Sequence, residues 1–472
     1  MKQLFLLFTG IILCIILPSC APRSGSGDTK TSIQELAQKP PMGWNSWNCL
    51  GIEATEDQVK AVADYMAEHL KEFGWEYVVV DAGWFHPATF TTPEWNHHPA
   101  PPQLIDEYGR LIPDPVKFPS SAGGKGFRPL ADYVHSKGLK FGIHIMRGVP
   151  WNAAEENRPI KGTSFTAADI ADKDNVCEWA KMMYGINTAH PGADAYYQSI
   201  IELYSSWGVD YIKADDMSRP FREGEIKALW KAAAQSGRDI VISLSPGAAP
   251  VEAAEELGAH AHLWRISNDF WDSWELLKKQ FEYCRKWAPY VKPGSWPDAD
   301  MLALGKLRKN GVGEWEAAFH GLSPDQVKNE YSRYSPDEQI SHMNLWAIFR
   351  SPLMMGGYLP ENDEFTLNLL TNKDLIRINQ HSVNNREIGF TENWSVWAAE
   401  DEETDVVYVA LFNLSDEPLE VSSGFGDLGI TAAKEITEIW SGMQIPAEDK
   451  MVKVTLSPHA SAMLKITGAR EN

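Results

Sequence analysis

Apolar positions along this chain follow two alternating periods. Val59, Val62, Ala63, Met66 and Leu70 lie three or four residues apart, the stripe of a helix that buries one face. Thr55 with Gln58 predicts a capping box at its start, and Gly74 its stop. Short runs rich in β-branched and aromatic residues predict strands at 77–80, 139–145, 209–212, 240–245, 263–267, 294–298 and 352–355. Helical segments are predicted between and after them, at 129–136, 195–206, 223–234, 251–257, 272–287, 337–349 and, as one last helix, 365–379. With a strand at Met42 this makes eight strand–helix units, the order of an α/β fold of the (β/α)8 TIM-barrel type. Two long insertions, 83–127 and one ending near His190, follow strands and so belong to the barrel mouth.

Beyond Ser382 the helical period disappears. Alternating runs such as 406–412 and 462–466, separated by turn residues, predict a C-terminal antiparallel β-sandwich. The expected organisation is a signal peptide at 1–19, a tether at 20–38, the barrel at 39–381 and the sandwich at 382–472. Lys2 and the apolar run after it form an export signal too short to span a bilayer. Leu17-Pro18-Ser19-Cys20 resembles a bacterial lipobox, which implies cleavage before Cys20 and lipid on its thiol. The expected location is the bacterial cell envelope, with membrane contact only through that lipid.

The formal net charge of −21, without a basic cluster, argues against nucleic acid or an anionic membrane surface as partner. Beyond the signal and Cys20, only Cys49, Cys177 and Cys284 remain, with no metal spacing and no disulfide framework. No zinc-protease, nucleophile-elbow, dinucleotide or P-loop pattern occurs, so neither a metal nor a cofactor is expected. A Gly-rich phosphate loop after the late strands is also missing.

The polar residues collect at strand ends. Within residues 207–216 the buried strand predicted at 209–212 is tipped by Lys213, Asp215 and Asp216; other tips carry Trp47, Asp81, His144, Ser245, Arg265, Asp269, Asp298 and Asp300. Carboxylates across an aromatic-lined cleft suit glycoside hydrolysis, in which one attacks the anomeric carbon and a second, protonated, serves the departing oxygen. A cation such as Lys213 would hold the first ionised.

In order along the chain, Pro41-Met42-Gly43-Trp44-Asn45-Ser46-Trp47, Val80-Asp81-Ala82-Gly83-Trp84, residues 207–215, Arg265 with Asp269, Asp298-Ala299-Asp300-Met301-Leu302 and residues 370–374 resemble glycoside hydrolase family 27. That family holds the α-galactosidases and α-N-acetylgalactosaminidases. The resemblance implies a retaining exo-glycosidase acting on a carbohydrate, with Asp215 as nucleophile and Asp269 as acid/base. It also implies Lys213 and Arg265 as donors to sugar hydroxyls, Asp81 as an acceptor and Trp47 as a wall of the pocket; Asp300 and His144 join the candidate substrate-binding set.

Two departures bear on the sugar. Many members carry two consecutive acids where this chain has Asp81-Ala82, and Ser245 and Ala248 replace the bulkier residues that α-galactosidases present to the sugar 2-position. His144 and Arg147 lack an obvious counterpart. Terminal α-D-galactose is the expected substrate, with N-acetylgalactosaminide, α-glucoside or β-L-arabinopyranoside as alternatives. A glycan-binding lipoprotein without turnover is the non-enzymatic one.

Overall fold

The computed structural model describes residue 1 and residues 32–89, 100–309, 312, 316, 322–447 and 449–468. The export signal, the lipobox with Cys20 and most of the tether lie outside the described residues. Eight parallel strands form one curled sheet. They are β1 (Met42–Asn45), β2 (Tyr77–Val80), β3 (Lys140–Met146), β4 (Tyr211–Asp215), β5 (Val241–Leu244), β6 (Leu263–Arg265), β7 (Trp296–Asp298) and β8 (Leu353–Met355). Their order is β7-β6-β5-β4-β3-β2-β1-β8. A parallel bridge between Leu302 and Met355 joins the chain beyond β7 to β8 and closes the barrel.

Each strand is followed by a helix: α1 (Glu56–His69), α2 (Arg128–Ser136), α3 (Pro191–Trp207), α4 (Glu223–Gln235), α5 (Ala254–His260), α6 (Trp274–Trp287), α7 (Pro336–Phe349) and α8 (Lys373–His381). The Thr55–Gln58 capping box starts α1, and its whole apolar stripe is buried. Gly208 ends α3 with φ +88°, a left-handed conformation that glycine adopts without a Cβ penalty. The helix expected over 365–379 is two helices, Glu364–Thr371 and α8. They break at Asn372, whose extended backbone (ψ 111°) lets its side chain accept from the Leu375 N–H and cap α8.

Strand parity decides what fills the barrel. Tyr77 and Val79, Tyr211, Val241, Leu263, Trp296, Met301 and Met354 form a separate apolar cluster within the ring of strands. Side chains two residues on along a strand share a face. Asp81, Lys213, Ser243, Arg265 and Asp298 therefore continue the inward-facing set, one layer nearer the mouth. Gly142 on β3 is required at this level, since a Cβ there would lie 2.9 Å from Val79 and 3.0 Å from Tyr211. Residues 33–37 close the other end: Leu36 and Ala37 pack on the same cluster, and the Trp296 indole donates to the Ala37 carbonyl at 2.7 Å.

The insertion after β3 is ordered structure. It carries short helices and a three-stranded antiparallel sheet of Val149–Pro150, Ala171–Val176 and Met183–Ile186. Beyond α8 come β9 (Ser382–Phe390), β10 (Trp394–Asp401), β11 (Val407–Asn413), β12 (Leu419–Gly424), β13 (Glu435–Glu438), β14 (Met451–Leu456) and β15 (Ser461–Thr467). A five-stranded antiparallel sheet (β9-β10-β11-β15-β13) and the β12–β14 pair enclose a second core. This sandwich docks on the barrel helices; Ser461 Oγ accepts from Asn344 Nδ2 at 2.9 Å, and Lys465 bonds Asp374 at 2.8 Å. Cys49, Cys177 and Cys284 are free and buried. No described helix is long and apolar enough to cross a membrane.

Candidate active site

The register of the sheet sets His144 beside Lys213 and Lys213 beside Ser243, while Asp81 follows the strand next to β3. Lys213 Nζ reaches across to Asp81 Oδ2 at 2.8 Å. Asp81 is held on every side: Asn45 Nδ2 donates to it at 2.7 Å, its own Oδ1 accepts from the Ala82 N–H at 2.7 Å, and its backbone N–H donates to Ser46 Oγ at 2.9 Å. Burial pushes the Asp81 carboxyl up, but Lys213 and His144 outweigh it and hold it below the usual range.

Two residues further along β4, Asp215 faces the same interior. His144 Nε2 lies 3.0 Å from its Oδ2, and Ser245 Oγ donates to its Oδ1. Burial again opposes ionisation; Lys213, His144 and the Ser245 hydroxyl overcome it and keep the Asp215 carboxylate charged well into acid. Lys213 is itself raised, because Asp81 and Asp215 more than offset its desolvation. An ammonium has three N–H donors, and the bond to Asp81 takes one of them.

Arg265, at the end of β6, is buried and spans two carboxylates with one nitrogen. Its Nη2 lies 2.5 Å from Asp300 and donates to Asp269 Oδ1 at 3.2 Å. The Asp269 side chain is 43% exposed and that of Asp300 3%. Phe270 and Trp271 turn inward, both buried, while Asp269 stands at the mouth on Arg265. Burial acts on Asp300 instead: its carboxyl is pushed up to about 7 by desolvation, opposed by Arg265 and reinforced by Asp269 and Asp298. Trp47 is half-buried at the end of β1, its N–H bonded to Asn45 Oδ1 at 2.9 Å.

Eight of the nine candidate residues thus form two groups. Lys213 bonds Asp81, His144 and Ser245 bond Asp215, and the Lys213 charge acts on both carboxylates; Arg265, Asp269 and Asp300 form a neighbouring triad; Trp47 stands by Asn45. Asp298 lies beneath the triad, its Oδ1 accepting from the Asp300 N–H at 2.9 Å. Sequence reasoning overlooked Asn45 and the network behind Asp215. There Arg147 bonds Asp216 and Glu225, each at 2.7 Å, and Tyr197 donates to Glu225 at 2.7 Å. Arg147 follows a strand tip by one residue and its partners lie 69 and 78 residues away, a separation that no local pattern displays. Among the described residues, one trio could share a metal ion: His381, Glu402 and Glu403. Lys39 and Arg377 already bond His381 and Glu403, at 2.7 and 3.0 Å, and the trio lies at the sandwich junction, outside the two groups.

A half-buried, charge-compensated carboxylate at one strand tip and a second, accessible carboxylate at another suit displacement at an acetal carbon. The chain matches the family model described as Alpha galactosidase A over residues 39–179 and 154–317, and that of the alpha galactosidase C-terminal beta sandwich domain over 391–466. It is 30% identical to alpha-galactosidase 3 of Arabidopsis thaliana, covering 86% of this chain and 76% of the relative. A GH27 β-L-arabinopyranosidase of Geobacillus stearothermophilus, solved with arabinose, is 43% identical with a TM-score of 0.86, over 93% of this chain and all of the other. A Bacillus halodurans protein with a provisional assignment as an α-N-acetylgalactosaminidase is 41% identical with a TM-score of 0.78, over 91% and 98%.

Proposed function

Since the chain belongs to the alpha-galactosidase family of glycoside hydrolases, GH27, we propose that it removes terminal α-D-galactosyl groups from oligo- or polysaccharides with retention of configuration. The observation that carries this reading is the setting of Asp215 at the tip of β4, where His144 Nε2 lies 3.0 Å from its Oδ2, Ser245 Oγ donates to its Oδ1, and the Lys213 charge favours the carboxylate. Its carboxylate attacks the anomeric carbon and forms a glycosyl ester as the bond to the leaving oxygen breaks. Asp269, accessible at the mouth, gives that oxygen its proton. Water then enters, Asp269 takes a proton from it, and the resulting hydroxide oxygen displaces Asp215 from the anomeric carbon. Lys213 and Arg265 serve as donors to ring hydroxyls, Asp81 as acceptor and Trp47 as a face for the ring.

A second sugar is favoured by one feature. Ala82 stands where a second acid would accept from a sugar hydroxyl, and its methyl group is buried. β-L-Arabinopyranose presents the ring hydroxyls of α-D-galactose without the hydroxymethyl group, so a pocket short of one acceptor suits it. The 43% identity to an arabinopyranosidase along its whole length supports this. N-acetylgalactosaminide ranks below both, because Ser245 is engaged by Asp215.

The test is a panel of nitrophenyl α-D-galactoside, β-L-arabinopyranoside, α-N-acetylgalactosaminide and α-D-glucoside, with the first product's anomer read by proton NMR. Turnover of the galactoside or arabinopyranoside with retention is expected. An inverted first product, or no turnover of any, overturns the reading. We also propose that lipid on Cys20 holds the enzyme at the cell envelope. Cys20→Ser should move it out of the membrane fraction, and unchanged fractionation of the variant with no lipid label on the wild type would count against the anchor.

A further inference from the structure

We propose that Asp300 is a positioning residue for Asp269, setting through Arg265 how firmly Asp269 keeps the proton needed in the first step; this rests on the acid/base role proposed above. The geometry is a relay through one nitrogen. Arg265 Nη2 lies 2.5 Å from Asp300 Oδ2 and donates to Asp269 Oδ1 at 3.2 Å. The same Asp300 Oδ2 accepts from the Phe270 N–H at 2.7 Å, so it also pins the residue next to Asp269. Asp300 is fixed in turn. Its N–H is held by Asp298, its carbonyl accepts from the Trp346 indole at 2.8 Å, and its φ of +83° is unusual for a non-glycine residue.

Asp300 Oδ2 is taken by two protein donors, the Arg265 guanidinium and the Phe270 N–H, which leaves it turned toward the protein. A purely structural ion pair has no need of a shared nitrogen. Because one guanidinium compensates both carboxylates, the charge each receives depends on the other. Charged Asp300 draws Arg265 to itself and leaves Asp269 less compensated, which favours protonated Asp269. The other groups facing Asp300 are Asp298 on β7 and Lys213 on β4. His342 on α7, packed on Phe270 and Trp346, is pushed down to about 3 by burial and stays neutral.

The experiment is Asp300→Asn in the full chain, which keeps an acceptor for the Phe270 N–H and removes the charge. kcat/KM is followed against pH on a dinitrophenyl glycoside and on a methyl glycoside of the sugar that the wild type turns over. Arg265 then acts on Asp269 alone and favours loss of its proton. On the methyl glycoside the basic limb should move down by about one pH unit, with about a tenfold loss above it. The dinitrophenyl substrate, which needs little protonation, should keep its rate. An equal loss on both substrates at every pH, or an unmoved basic limb, overturns the proposal. Carbon-13 NMR of aspartate-labelled wild type and Asp269→Asn covers the case in which Asp300→Asn does not fold. A carboxyl titrating near neutrality should shift to lower pH when Asp269 is neutralised, and no shift refutes the coupling. If Asp269→Asn itself shows no dependence on leaving group, the acid/base assignment has failed. If it does and Asp300→Asn has no effect on the profile, only the present inference has.

Discussion

Replacing Lys213 with Met removes the one ammonium between Asp81 and Asp215 while keeping the length of the side chain. At 2.8 Å and an effective dielectric constant of about 20, the Lys213–Asp81 attraction is roughly 6 kcal/mol gross. Part of that offsets desolvation in the wild type. What the variant loses is the compensation of carboxylates already buried, about 3–5 kcal/mol for a broken buried pair. The sign of the pH dependence follows from the shifts. Asp81 and Asp215 are both depressed in the folded state, so they add stability above the ordinary carboxylate range and lose it as pH falls through their folded values. In Lys213→Met burial is no longer outweighed to the same degree, and both carboxyls move up. The acid limb of kcat/KM should therefore rise by about 1–3 pH units, the size of shift that a neighbouring cation produces. The melting temperature at pH 7 should fall by several degrees, and by less in acid. The assay is a pH–rate profile on a nitrophenyl glycoside beside thermal scans at about pH 3 and pH 7. Asp81→Asn is the control: it leaves Lys213 to act on Asp215 alone, so its acid limb should stay or move down. An acid limb unmoved in Lys213→Met would refute the view that Lys213 keeps Asp215 ionised.

Three further outcomes are expected. Ser245→Glu should lower turnover on every sugar by at least about a hundredfold, since it sets a second carboxylate where a hydroxyl now donates to Asp215; improved galactoside turnover would show that position 245 faces the sugar. Arg147→Met should cost about 3–5 kcal/mol in denaturant melts by leaving Asp216 and Glu225 buried without their cation, and a change below about 1 kcal/mol would mean that the network contributes little. His459→Ala should destabilise by about 1–2 kcal/mol, because His459 stacks on Trp274 at 3.9 Å and bonds Glu338 at 2.7 Å across the barrel–sandwich junction; a melt identical to wild type would make that junction independent of it.

What the sequence determined by itself was periodic or local. Helices such as α1 carry their own stripe and stop signals, and the strands their own apolar runs, so the eight units and the sheet beyond Ser382 could be read in order. Parity along a strand extends this to direction: Tyr211, Lys213 and Asp215 must share a face, so the carboxylate at 215 had to enter the barrel. The break at Asn372 was missed because apolar residues stand on both sides of Thr371-Asn372-Lys373-Asp374 and a single capping amide decides the stop. Tertiary structure alone decided which charges meet. Lys213 finds Asp81 from 132 residues away, and Arg265 divides one nitrogen between Asp269 and Asp300. It also decided which carboxylate feels burial. Asp269 and Asp300 both sit near apolar neighbours in sequence, yet desolvation follows the distance to water in three dimensions. The segment after β6 leaves Asp269 exposed at the mouth, while Asp300 is enclosed.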